Sequence, residues 1–346
     1  MLKRLMKSIQ ALAAMAAIMF PAAASAQEKF TFMFPVKSLL QYHPFYIAQE
    51  LGYFKQEGLD VRFEVANGSS AALRQLIAGN ADAALPSPAA YLNAVAQGHD
   101  LRWFFSYEYA NVFTLVVPEK SPVKTVADLK GKSVGVSELS GGEVPLVRAV
   151  LRKAGLEDGK DVKIVPVGEG SALTVQALQS GQVDAYSSSL FDVAAIEAAG
   201  VPMRVILPQD AQLYPANGMV VTAATLQRKR DQLTRFGRAA AKGIAYVKAD
   251  PERALAMAKK LGPEEFENEN YVGYGWKAIQ TLTTPPPALA GQPIGTHYKE
   301  GFQAYHDFLR QGKEEEGALP RAVDLDKALD PSLLKEINSF DRSSIK

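Results

Sequence analysis

The chain has 346 residues, a formal net charge of +1 and no cysteine. The charge balance leaves no basic excess to hold nucleic acid, and the missing thiols exclude disulfides, thiolate metal sites and a cysteine nucleophile. Apolar residues make up 47% of the chain, enough for real cores, and at about 150 residues per domain the length points to two domains.

The first 26 residues read as an export leader. Lys3, Arg4 and Lys7 form a basic start, "IQALAAMAAIMF" is an apolar core, and Ala24-Ser25-Ala26 is a small-x-small cleavage pattern. The apolar run falls short of the roughly 20 residues that span a bilayer. Cleavage after Ala26 leaves 320 residues and moves the charge to about −2. The expected product is a soluble periplasmic chain with no cysteine for a lipid anchor.

Strand and helix signals then alternate. A strand at 29–34 precedes a helix at 44–55, with Pro44 at its start. A strand at 59–65, a helix at 69–79, a strand at 81–85, a helix at 87–98 and a strand at 101–107 follow. The order starts again with strands at 132–137, 162–167, 183–187 and 203–207, separated by helices within 142–155, at 171–181 and at 190–200. Such alternation predicts mostly parallel sheets covered by helices. The remainder is mostly helical, with helices at 224–248, 251–261 and 298–310, an irregular loop at 283–293 and a solvated turn at 312–317.

Short phrases recur at an offset of 102 residues. Leu76 matches Leu178, Gly79 matches Gly181, Asp82-Ala83 matches Asp184-Ala185 and Ser87 matches Ser189. Gly68-Ser69 matches Gly170-Ser171, and Gly98 matches Gly200. Two copies are too few for a solenoid, so the repeat predicts two similar lobes.

In parallel sheets the working loops lie beyond the carboxyl ends of the strands. Here "NGSS", "PSP", "SELSGGE", "GEGS" and "SSSL" occupy those places and each opens a helix. Free N–H groups and the positive end of the helix dipole suit an anionic or strongly polar group without catalysis. Signatures of enzymes and of metal or nucleotide sites are missing. The four histidines (His43, His99, His297, His306) form no metal spacing, and no nucleophile elbow, phosphate loop or dinucleotide fingerprint is present. No cofactor, metal or catalytic residue is expected.

One segment is more specific. "PFYIAQELGYFKQEGLDV", followed in order by "GNADAA", "VADLKGKSVGV" and "ALQSGQVDAYSS", resembles the periplasmic solute-binding proteins of ABC importers in the nitrate/sulfonate/taurine and thiamine-pyrimidine-precursor group. The resemblance covers nearly all of the mature chain. It implies an α/β, two-lobed type II binding-protein fold, each lobe a mostly parallel sheet flanked by helices, the lobes joined by two crossing strands. Residues 27–111 and 219–346 would form lobe one, with a bracing helical tail, and residues 112–218 lobe two. The resemblance implies a small ligand, a sulfonate, taurine, nitrate or aromatic carboxylate, held between the lobes. A permease and an ATPase would be the partners of a monomer. The implied ligand contacts are Lys37, Gln41, Tyr42, His43, Ser69, Ser70, Ser87 and Tyr107 on one side. On the other they are Ser137, Ser140, Gly141, Gly142, Ser189, Asp192 and Asn217. The alternatives are a pyrimidine-precursor binder or enzyme on the same fold, or a ligand-sensing periplasmic protein. The early tryptophan of the pyrimidine binders is absent, as is the cysteine-rich motif of the fungal pyrimidine synthases.

Overall fold

The computed structural model describes residues 27–139, 141–311 and 318–345. The expected leader, Ser140 and the turn expected at 312–317 lie outside the described residues. Two five-stranded sheets organise the chain. The first contains β1 (Glu28–Phe34), β2 (Leu59–Val65), β3 (Ala83–Ala84) and β4 (Leu101–Ser106). The second contains β5 (Phe113–Pro118), β6 (Ser133–Val136), β7 (Lys163–Pro166), β8 (Ala185–Ser189) and β9 (Met203–Val205). A tenth strand, β10 (Gly218–Thr222), returns to the first sheet, giving the orders β2-β1-β3-β10-β4 and β7-β6-β8-β5-β9.

Each sheet is therefore parallel except for one strand. β10 lies antiparallel between β3 and β4, and β5 lies antiparallel between β8 and β9. Both misfit strands follow a segment that passes from one sheet to the other. This is the two-lobed α/β arrangement with crossing strands that the sequence predicts. The helices on the strands' flanks are α1 (Leu39–Glu50), α2 (Tyr53–Gln56), α3 (Ser69–Ile77) and α4 (Pro88–Ala96) in the first lobe. α5 (Val144–Lys153), α6 (Ala172–Gln179), α7 (Leu190–Ala198) and α8 (Gln209–Gln212) belong to the second half of the repeat.

The 102-residue echo has a physical content. Asp82 exchanges hydrogen bonds with Thr31 of β1: its carboxylate accepts from the Thr31 N–H at 2.8 Å, and its own N–H donates to the Thr31 carbonyl at 2.8 Å. Asp184 does the same with Ser133 of β6, both at 2.9 Å. Each aspartate thus fixes the register of the short strand after it against the first strand of its sheet. Gly79 and Gly181 both close a helix at positive φ, 80° and 73°, where a side chain would be strained. Ser87 and Ser189 both cap the next helix in the same extended conformation.

The chain continues with α9 (Ala223–Arg228), α10 (Arg230–Ala249), α11 (Pro251–Leu261), α12 (Glu269–Thr283), α13 (Lys299–Arg310), α14 (Leu325–Ala328) and α15 (Leu334–Ile337). The single helix expected at 224–248 is broken at Lys229, whose backbone leaves the helical region. Its ammonium reaches Asp82 at 2.6 Å. α10 supplies Phe236, which stacks on Phe30 and Phe54 at centroid distances of 4.4 and 5.2 Å. Burying one such ring contributes about 1.5–3 kcal/mol. α12 has no counterpart among the expected helices, because Gly273 and Gly275 depress its helical signal. At Gly275 the packing is close: a Cβ would lie 2.6 Å from Leu40 Cδ2, and that buried side chain would have to shift.

The helical tail braces more than the first lobe. α12 packs along α7 of the second, and Phe191 of α7 sits against the cluster of Leu40, Phe266 and Val272. Tyr305 and Phe308 of α13 meet Tyr214, at 5.0 and 5.3 Å, on the second passage between the sheets. Among the described residues no helix is long and apolar enough to cross a membrane.

Candidate functional site

The loops at the carboxyl ends of the strands converge on the two passages between the sheets. Helix α1 carries the first loop inward and begins five residues before the expected start. Ser38 caps it by accepting from the Gln41 N–H at 3.1 Å. The Glu265 carboxylate accepts from the N–H groups of Leu39 and Leu40 at 2.7–3.0 Å. Pro44 thus stands inside the helix, where its missing N–H would leave the Leu40 carbonyl bare. His43 repairs the gap: its Nδ1 lies 2.8 Å from that carbonyl and must carry the proton. The ring is fully buried, which lowers its pKa to about 4 and keeps it neutral. Nε2 is left as a buried acceptor without a partner. The ring packs on Trp276 at 4.6 Å.

The passages themselves are stitched together. The Glu108 N–H donates to the Asn217 carbonyl at 2.9 Å, the Ala216 N–H to the Glu108 carbonyl at 3.3 Å, and the Asn111 N–H to the Gln212 carbonyl at 2.9 Å. The Glu108 side chain lies at the centre of this joint with no solvent exposure. It accepts from Gln41 Nε2 at 2.9 Å and from the Asn217 N–H at 3.1 Å. Burial raises its pKa to about 7, and the two hydrogen bonds pull it partly back. The Tyr107 hydroxyl donates to the Gln41 carbonyl at 2.6 Å, and Asn217 Nδ2 donates to the Leu85 carbonyl at 3.1 Å. Tyr42 stacks on Phe34 at 4.6 Å. Its hydroxyl, beside Glu108, is fully buried and falls short of a hydrogen bond. Burial raises the pKa of both tyrosines.

In the first lobe Ser69 Oγ accepts from the Ser87 N–H at 2.9 Å, tying two of the loops. Ser70 and Lys37 are exposed. In the second lobe both the N–H and the hydroxyl of Ser137 donate to Glu143, which is buried. Gly141 and Gly142 are dictated by packing. A Cβ on the first would lie 2.5 Å from the Glu143 carboxylate, and one on the second 2.7 Å from Phe113 Cζ. Asp192 accepts from Ser188 Oγ at 2.5 Å, Ser189 Oγ at 2.8 Å and the Ser189 N–H at 3.3 Å. Tyr186 bridges the next loop, donating to the Gly168 carbonyl at 2.7 Å and accepting from the Gly170 N–H at 3.1 Å.

Gln41, Tyr42, Tyr107 and Asn217 thus form one buried cluster around Glu108. In the second lobe Ser137, Gly141 and Gly142 lie between β6 and α5, Ser189 ends β8 and Asp192 stands in the first turn of α7. Glu108, Glu143, Glu265 and Tyr186 are absent from the sequence reading. Glu265 acts across 226 residues of chain, and no local pattern marks such a partner. Among the described residues no group of three His, Asp or Glu is placed to hold a metal.

The chain has relatives of known name. It is 23% identical over 227 residues to the riboflavin-binding protein RibY of Chloroflexus aurantiacus, a match spanning 65% of this chain and 64% of that one. It is 28% identical over 284 residues to a protein of Haemophilus influenzae named for thiamine biosynthesis, spanning 81% and 84%. Its fold is similar to that of the periplasmic aliphatic sulphonate binding protein SsuA from Escherichia coli, at a TM-score of 0.64 and 18% identity, over 87% of this chain and 91% of that one. A protein of Bordetella bronchiseptica has the same architecture at a TM-score of 0.66 and 24% identity, over 90% and 98%. The model of the NMT1/THI5-like family matches residues 40–254, well over half of the sequence, and the chain belongs to that family.

Proposed function

We propose that the chain is the solute-capturing component of an ABC importer, exported to the periplasm after removal of residues 1–26, and that it works as a monomer. It would bind a small organic solute between its lobes and present the closed form to a permease driven by an ATPase. The observation that carries this reading is the double passage at Glu108 and Asn217. Two hydrogen-bonded crossings give the lobes one shared hinge, and a solute touching both lobes favours the closed state. Binding is expected to involve Gln41, Ser69, Ser70, Ser87, Ser137, Gly142 and Ser189, without chemical change to the solute. The neighbours named as sulphonate-binding and the relative named as riboflavin-binding support capture as the role.

The test works whatever the ligand proves to be. Protein recovered from exporting cells is denatured, and the released small molecules are identified by mass spectrometry. The reading expects one solute in about equal molar amount, returned unchanged after rebinding, with a smaller radius of gyration by small-angle scattering. Absence of any retained solute, an unchanged radius, or a chemically altered product would sink it.

A further inference from the structure

Helix α12 belongs to the tail, yet it meets three parts of the molecule. Near its start, Val272 packs with Leu40 of α1, Ala258 of α11 and Phe266 in one apolar cluster. Phe191, in the first turn of α7, is the second lobe's contribution to that cluster. At the far end of α12 the Leu282 carbonyl accepts from the Tyr109 N–H at 2.6 Å, on the first passage between the sheets. α12 thus touches the first lobe, the second lobe and the joint between them.

Polar groups extend the contact with α7. Burial raises the pKa of the Tyr271 hydroxyl, and the carboxylates of Asp192 on α7 and Glu265 before α12 raise it further. Burial also raises the Glu197 carboxyl, while a backbone hydrogen bond at Met203 and the charge of Lys277 pull it partly back. Glu197 lies in the last turn of α7 and Lys277 on α12. The seam from Phe191 and Tyr271 to Glu197 and Lys277 therefore runs about 9 Å along both helices. Parting the lobes here would draw Phe191 out of its apolar site into water and separate Glu197 from Lys277.

We infer that α12 is a strap that restrains the opening of the cleft, with Phe191 as its apolar fastener and the Glu197–Lys277 pair as its polar one. The role rests on the capture reading above, since a tie between lobes regulates only a molecule whose lobes part. The strap keeps the solute-free molecule near its closed form. A larger closed fraction tightens the apparent affinity in proportion, and a weakened strap loosens it.

A chain without cysteine accepts two spin labels at chosen sites alone. Ile77→Cys in the first lobe and Lys163→Cys in the second, both at exposed positions, report the distance between lobes by double electron–electron resonance. The full exported chain is unfolded and refolded beforehand to strip any retained solute. With the doubly labelled parent as reference, Phe191→Ala and Lys277→Glu should each shift the distribution to longer distance and broaden it. The charge swap, Glu197→Lys with Lys277→Glu, should return it to the parent's. Lys277 is exposed, so its variant carries the test should Phe191→Ala fail to fold. A parental distribution in either folded single variant, or a swap that does not restore it, overturns the strap. Capture is judged separately, on its extraction and scattering test, and the two can fail independently.

Discussion

Glu108 shows how a single buried carboxyl sets conditions for a whole joint. Its folded pKa is about 7 against an ordinary 4.5, so the native state holds the proton longer than the unfolded chain. Its contribution is therefore fully present below about pH 4.5 and is lost as pH rises through 7. A shift of this size corresponds to about 3 kcal/mol of stability lost across that window. Glu108→Gln should remove the dependence: the difference in unfolding free energy between wild type and variant, measured by urea titration at pH 5 and pH 7.5, should change by that order. Equal pH profiles would refute the assignment. The sequence does not mark Glu108. In "SYEYAN" it has no periodic partner, and its donors, Gln41 and Asn217, stand 67 and 109 residues away. By contrast Ser87 and Ser189 are legible because capping is a local interaction.

At the scale of elements, the close approach of α10 to α1 is controlled by Gly243. Alanine in a helix interior is ordinarily favoured over glycine by about 1 kcal/mol. Here its Cβ would lie 2.2 Å from the Pro44 carbonyl oxygen and 2.9 Å from Ala48 Cβ. Backbone cannot yield as a side-chain tip can, so overpacking wins, and Gly243→Ala is expected to lose about 1–3 kcal/mol net. Chemical denaturation checks this, and an unchanged or raised midpoint would contradict it. The strands and most helices can be read from periodicity and from Gly, Pro and Ser punctuation. α12 cannot, since Gly273 and Gly275 look like a loop until Leu40 is placed against the second of them. Pro44 looks like a helix start because the repair by His43 depends on side-chain geometry that no spacing reveals.

For the whole molecule, the two halves repeat one plan but differ in what holds them. The second sheet draws all its strands from one continuous run, 113–205. The first does not: β3 and β4 are joined only through β10. During synthesis, its middle therefore stays unzipped until residues 218–222 have emerged, with the aromatic faces of β1 and the segments around it lacking their last cover. The later-made sheet should thus be the earlier to set, leaving the opening residues as the ones most in need of a chaperone's shelter.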